Sequence, residues 1–173
     1  MIELVLGGAR SGKSRYAEQQ AVQSGKEVLY IATAEAGDAE MALRIKHHRE
    51  SRSQHWQTIE EPIKLAEVIQ KYSQKNNCLL VDCLTLWLSN ILFDKQGELQ
   101  LQRFEKEIKA LLDVLEQVSG QVILVSNEVG QGVVAIDKMT RRFVDEAGFL
   151  HQKIAQISQR VVLVTAGLPQ VLK

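Results

Sequence analysis

The chain reads as an α/β domain, a doubly wound and mostly parallel β-sheet flanked by helices. Three observations predict it. Five apolar runs rich in Val, Ile and Leu lack the alternation of a half-exposed strand, so their strands are buried on both faces. Segments with helical spacing lie between them, and alternating strand and helix favours a parallel sheet. The first strand also runs straight into a glycine-rich turn that opens a helix. With 173 residues, 45% hydrophobic and 24% charged, a single domain over residues 1–173 with a sizeable core is expected.

Taken in order, residues 2–6 (IELVL) form the first strand, and an Ala/Glu/Gln-rich helix follows over 14–23. Residues 27–33 (EVLYIAT) are the second strand. A helix over 38–53 carries Met41, Ala42 and Ile45 on one face. The next helix spans 62–74, with Pro62 at its first position and Leu65, Ala66, Ile69 and Tyr72 in register. Residues 78–82 (CLLVD) form a strand, and 84–93 a helix apolar nearly all round, which demands burial. The longest amphipathic pattern covers 99–118, with Leu101, Phe104, Ile108, Leu111, Leu112 and Leu115 on one stripe and Gly120 beyond its end. A strand over 121–126, a helix over 138–158 and a strand over 160–165 complete the series.

Composition narrows the function classes. Lys plus Arg equals Asp plus Glu at 21 each, so net charge gives no sign of a nucleic-acid or membrane partner. No apolar stretch reaches the roughly 20 residues of a transmembrane helix, and the start of the chain lacks the features of a signal peptide. Cys78 and Cys83 have neither the spacing of a metal pair nor a disulfide framework, and are expected as reduced core thiols. A cytoplasmic location follows as the expectation.

Residues 7–14 read Gly7-Gly8-Ala9-Arg10-Ser11-Gly12-Lys13-Ser14, the Gly-x4-Gly-Lys-Ser pattern of a phosphate-binding loop between strand and helix. Glycines let successive N–H groups turn inward on phosphate oxygens, and the positive end of the helix dipole adds to their field. Lys13 can reach the β- and γ-phosphates, and the Ser14 hydroxyl can sit on Mg²⁺. A nucleoside triphosphate is the expected ligand. In open α/β sheets the ligand lies at the carboxyl ends of the strands. Asp82 ends a strand at that edge and is a candidate second Mg²⁺ contact, although Asp also favours strand-end turns. Asn127, Glu128 and Gly130 follow another strand and should share the edge.

Residues 44–52 (RIKHHRESR) set His47 and His48 among Arg44, Lys46, Arg49 and Arg52. Such a run can be a solvated helix face. It can also bind phosphates and keep one imidazole neutral as a nucleophile toward phosphorus. His55 and His151 have no comparable context and read as structural or surface residues. Trp56 and Trp87 read as core anchors.

The motifs GGARSGKSRYAE, YIATA, RIKHHRESR followed by W-x-T-x-E-E-P, LVDCLTLWLSN, SNEVGQGVV and the late AGLP resemble, in order and over the whole chain, the bifunctional adenosylcobinamide kinase / adenosylcobinamide-phosphate guanylyltransferase family. That resemblance implies a RecA-like domain, a homotrimeric assembly and two reactions on a corrinoid. ATP or GTP first phosphorylates adenosylcobinamide. GMP from GTP is then transferred to the resulting phosphate through a guanylylated histidine.

The same resemblance places the covalent histidine at His47, with His48, Arg49, Glu50 and Ser51 beside the nucleotide. Glu60 and Asp82 match acidic positions near it, and Ile31, Ala32 and Thr33 match a stretch lining it. A trimer would account for the apolar helix at 84–93. Two positions depart from the family pattern. Ala135 stands where proline is usual after the NEVG loop, and Val144 stands where arginine is expected, which leaves Arg141 or Arg142 for any phosphate contact there. A kinase for another small molecule, or a nucleotide-switched module without catalysis, would use the same phosphate loop without needing His47.

Overall fold

A computed structural model describes residues 1–35 and 56–173. The helix expected at 38–53, with His47, His48, Arg49, Glu50, Ser51 and His55, lies outside the described residues. Seven strands form one sheet: β1 (Ile2–Gly7), β2 (Glu27–Ala32), β3 (Gln57–Glu60), β4 (Asn77–Asp82), β5 (Gln121–Asn127), β6 (Arg160–Thr165) and β7 (Leu168–Val171), in the order β3-β2-β4-β5-β1-β6-β7. All neighbours are parallel except β6 and β7, which form an antiparallel hairpin. The helices are α1 (Lys13–Gln23), α2 (Leu65–Tyr72), α3 (Leu84–Leu92), α4 (Leu101–Leu115) and α5 (Lys138–Ile157).

Side chains alternate across each strand, so the central strands feed two cores. On one face Leu4, Leu29, Leu79, Val81, Val122 and Leu124 meet α2, α3, α4 and α5 through Ile69, Trp87, Leu111 and Ile154. On the other, Val5, Tyr30, Leu80, Ile123 and Val162 pack with Tyr16, Ala17 and Ala21 of α1. The doubly wound expectation therefore holds, with an unequal division of helices among the described residues. Glu3 is the polar exception inside β1. It is buried, accepts a hydrogen bond from the Tyr16 hydroxyl (3.2 Å) and pairs with Arg160 Nε at 3.1 Å.

Three expectations change. Pro62 does not open a helix. The Glu61 carboxylate accepts the backbone N–H groups of Ile63 (2.9 Å) and Lys64 (2.7 Å), closing a turn that delays α2 to Leu65. Two short strands, β3 and β7, were not expected. Both are mostly exposed edge strands, and neither carries the continuous apolar run that marks a central strand. The apolar helix α3 needs no partner chain to explain it. Leu84, Trp87, Leu88, Ile91 and Leu92 are buried within this chain, and the Trp87 indole donates to Ile63 O at 2.9 Å.

Candidate functional site

The carboxyl ends of β1, β4 and β5 converge where the sequence places the phosphate loop. Register pairs Gly7 with Asn127, and Ala32 with both Glu60 and Asp82. The loop over residues 8–12 leads directly into α1, whose N-cap is Gly12 at φ 94°. A left-handed residue there favours glycine. Gly12 supplies no side-chain cap, and the first turn of α1 contains no acidic residue. Its first N–H groups are thus left for an anion, with the helix dipole reinforcing them.

Neighbouring elements hold the loop. Glu128 N–H donates to Gly7 O (3.0 Å), and Gly167 N–H donates to Ser11 O (2.8 Å). Lys13 Nζ donates to Gly8 O at 3.2 Å, within the loop it would share with phosphates. A side chain at Gly7 would collide with Ser11 Oγ and, at 2.6 Å, with Val164 O. Gly167, in the β6–β7 turn, takes φ 79° and lies against Gly12, where an added Cβ would stand 3.1 Å from Gly167 Cα. The sequence signal for this contact was the AGLP segment, but its sheet position was invisible without the hairpin.

Asp82 stands at the end of β4, partly exposed, and accepts a hydrogen bond from the Tyr30 hydroxyl at Oδ2 (2.9 Å). Among the described residues its second oxygen has no hydrogen-bond partner. Among the described residues no cluster of three His, Cys, Asp or Glu side chains could hold a metal. Mg²⁺ carried by a nucleotide keeps waters and phosphate oxygens and takes only one or two protein ligands, so it does not require such a cluster.

The other expected residues divide. Glu60 ends β3 exposed, on the same edge as Asp82. Ile31 is fully buried, and so is Thr33, whose hydroxyl donates to Cys83 O (2.7 Å) and accepts from Cys83 N–H (2.9 Å). Asn90 Nδ2 donates to Thr33 O at 2.8 Å. Thr33 thus ties β2 to the β4–α3 junction behind Asp82 rather than presenting its hydroxyl at the surface. Arg141 Nη1 donates to the carbonyls of Ala135 and Ile136, holding the loop before α5, and Arg142 pairs with Glu146 at 2.7 Å. Cys83 is a buried thiol pushed up to about 11 by desolvation and the nearby Asp82 charge, and Cys78 is pushed up to about 11 chiefly by burial. Both are unpaired, as expected.

Behind this edge lies a buried polar group whose histidine reads from the sequence as structural or surface and whose hydroxyl partners the sequence does not single out. His151, from α5, is buried with Nε2 2.7 Å from Ser126 Oγ. A lone histidine on an amphipathic helix carried no signal of it.

The sequence profile of the family described as cobinamide kinase / cobinamide phosphate guanyltransferase matches residues 3–172. The chain is 53% identical over 173 residues to the bifunctional adenosylcobalamin biosynthesis protein CobP of Pseudomonas aeruginosa, covering 100% of this chain and 98% of that protein. It is 41% identical over 177 residues to the bifunctional adenosylcobalamin biosynthesis protein CobU of Escherichia coli K12, covering 97% of each. Among solved structures, the RadB recombinase superposes with TM-score 0.53 at 17% identity, over 94% of this chain and 73% of that one. The P4 protein of bacteriophage phi6 in complex with ADP superposes with TM-score 0.50 at 14% identity, over 98% of this chain and 52% of that one. These structural likenesses support the RecA-like P-loop fold.

Proposed function

The chain belongs to the cobinamide kinase / cobinamide phosphate guanyltransferase family, and from that premise we propose a two-step transferase acting at one phosphate-gripping edge within a single catalytic domain, residues 1–173. The observation that carries it is the sheet register, which sets the Gly7–Ser14 loop beside the ends of β4 and β5. In the kinase step the adenosylcobinamide hydroxyl oxygen attacks the γ-phosphorus of ATP or GTP. The bond to the β–γ bridging oxygen breaks, the nucleoside diphosphate leaves and the hydroxyl proton is lost.

In the second step an imidazole nitrogen of His47 attacks the α-phosphorus of GTP and pyrophosphate departs. A phosphate oxygen of adenosylcobinamide phosphate then attacks that phosphorus, releasing His47 and giving adenosylcobinamide-GDP. Splitting the transfer this way replaces one difficult displacement with two easier ones. The loop amides and Lys13 hold the β- and γ-phosphates in both steps, so the same donors meet the charge that develops on each leaving group. Mg²⁺ bound through Ser14 and Asp82 would neutralise phosphate charge there. His48, Arg49, Glu50, Ser51 and Glu60 complete the reading as nucleotide contacts. A homotrimer and a cytoplasmic location belong to the same reading; no described helix is long and apolar enough to cross a membrane.

The deciding experiment incubates the protein with Mg²⁺ and GTP labelled at the α-phosphate, then denatures it and counts retained label. Label stable to alkali, lost in acid and absent only in His47→Ala is expected. Label that persists in His47→Ala, or none in the wild type with GTP bound, would overturn the covalent mechanism.

A further inference from the structure

Beneath the edge where β5 leaves the sheet, three buried polar side chains from three elements form a chain. His151 Nε2 (α5) lies 2.7 Å from Ser126 Oγ (β5). Ser126 Oγ lies 3.1 Å from Thr85 Oγ1 (α3), and Thr85 Oγ1 accepts the Asn127 N–H at 2.7 Å. We infer that His151 is a positioning residue, acting through Ser126 and Thr85 to fix the Asn127–Glu128 backbone against the phosphate loop. The inference rests on that loop serving the phosphoryl transfer proposed above.

The direction of the hydrogen bonds supports it. Thr85 Oγ1 already accepts from Asn127, so its own proton is available to Ser126. Ser126 can then donate to His151 Nε2, and each hydroxyl gives one bond and takes one. The chain ends on a neutral imidazole acting as acceptor. Burial favours that form by lowering the imidazole pKa, against the opposing field of Glu128. The next residues carry the constraint to the site. Asn127 pairs in register with Gly7, Glu128 N–H donates to Gly7 O at 3.0 Å, and Glu128 Oε1 accepts from Gly130 N–H at 2.6 Å. A purely apolar residue at 151 would leave Ser126 without its acceptor in a buried setting. The backbone that abuts the phosphate loop could then adopt alternatives.

The test compares wild type, His151→Leu, His151→Gln, Ser126→Ala and the double variant His151→Leu/Ser126→Ala. Each is assayed for kcat and nucleotide KM in the kinase reaction with adenosylcobinamide, and for nucleotide hydrolysis without corrinoid. Loss of one hydrogen bond in such a chain predicts about a tenfold fall in kcat for His151→Leu, with KM within about twofold. His151→Gln, whose amide reaches the place of Nε2, should recover most of the rate. The double variant should be no slower than His151→Leu, because both break the same chain. If His151→Leu does not fold, Ser126→Ala and His151→Gln carry the comparison. Equal kcat for wild type and Ser126→Ala would overturn the inference, as would His151→Gln as slow as His151→Leu or multiplying defects in the double variant. A wild type that hydrolyses nucleotide but does not phosphorylate adenosylcobinamide would instead refute the substrate reading, while the hydrolysis series still judges His151.

Discussion

Thr33→Val separates a framework role from a ligand role at a position whose motif suggested nucleotide contact. The substitution keeps the branched shape and deletes the hydroxyl, so the energetic change lies in hydrogen bonding. Cys83 O loses a donor at 2.7 Å but keeps the Trp87 N–H at 3.2 Å, so that loss amounts to one ordinary bond, about 1 kcal/mol. Cys83 N–H loses its acceptor in a buried site, which costs about 1–3 kcal/mol. Together the expected destabilisation is about 2–4 kcal/mol, or a fall in melting temperature of roughly 4–16 °C for a chain of this length. Urea unfolding and thermal melts of wild type, Thr33→Val and Thr33→Ser measure it, and serine should retain most of the stability. A Thr33→Val protein that melts with the wild type but has a raised nucleotide KM would refute this assignment and make Thr33 a ligand contact.

Lys13→Ala should slow both the kinase and the guanylyl steps by a few hundredfold, about 3–4 kcal/mol, because one charged donor to the leaving group is lost in each; initial rates of both reactions test this. Cys78 and Cys83 should resist iodoacetamide at pH 8 in the native protein, since burial raises both thiols to about 11, and both should react in guanidinium. His151 makes stability depend on pH. Its folded pKa lies below the ordinary 6.5, so the stability from burying it neutral is present above 6.5 and is lost as pH falls through the folded value. Urea midpoints at pH 7.5 and 5.5 should therefore differ more for wild type than for His151→Gln.

Much of this molecule follows from local chemistry. The five core strands declare themselves by continuous apolar runs, and the phosphate loop by glycine spacing between a strand and a helix. What escaped depends on partners distant in sequence for Thr33 and His151, and on local turn chemistry for β7 and Pro62. The strand β7 exists because Ala166 and Gly167, both at positive φ, turn the chain back on β6, and its own residues are exposed and mixed. Thr33 belongs to an apolar strand end whether it meets a nucleotide or a backbone, and only the fold brings Cys83 within 3 Å of it. Pro62 satisfied the rule for a first helical position, but Glu61 captured the following amides first. His151 meets Ser126, 25 residues away in sequence, only because α5 packs against the sheet.

In the proposed mechanism one edge serves two displacements at different phosphorus atoms. Whichever bond breaks, the leaving group carries the β-phosphate, so donors aimed at the β- and γ-positions are useful twice. They are most effective when they need no rearrangement at the moment of reaction. Here the loop is braced on both sides of β1: Glu128 bonds Gly7 from the β5 side, and Gly167 bonds Ser11 from the β6–β7 turn. The close approach of Gly167 to Gly12 leaves no room for a side chain between them without displacement. In the proposed mechanism the reacting histidine, by contrast, is needed in only one step. That division predicts that damage to the loop or its braces impairs both reactions together, whereas damage at His47 separates them.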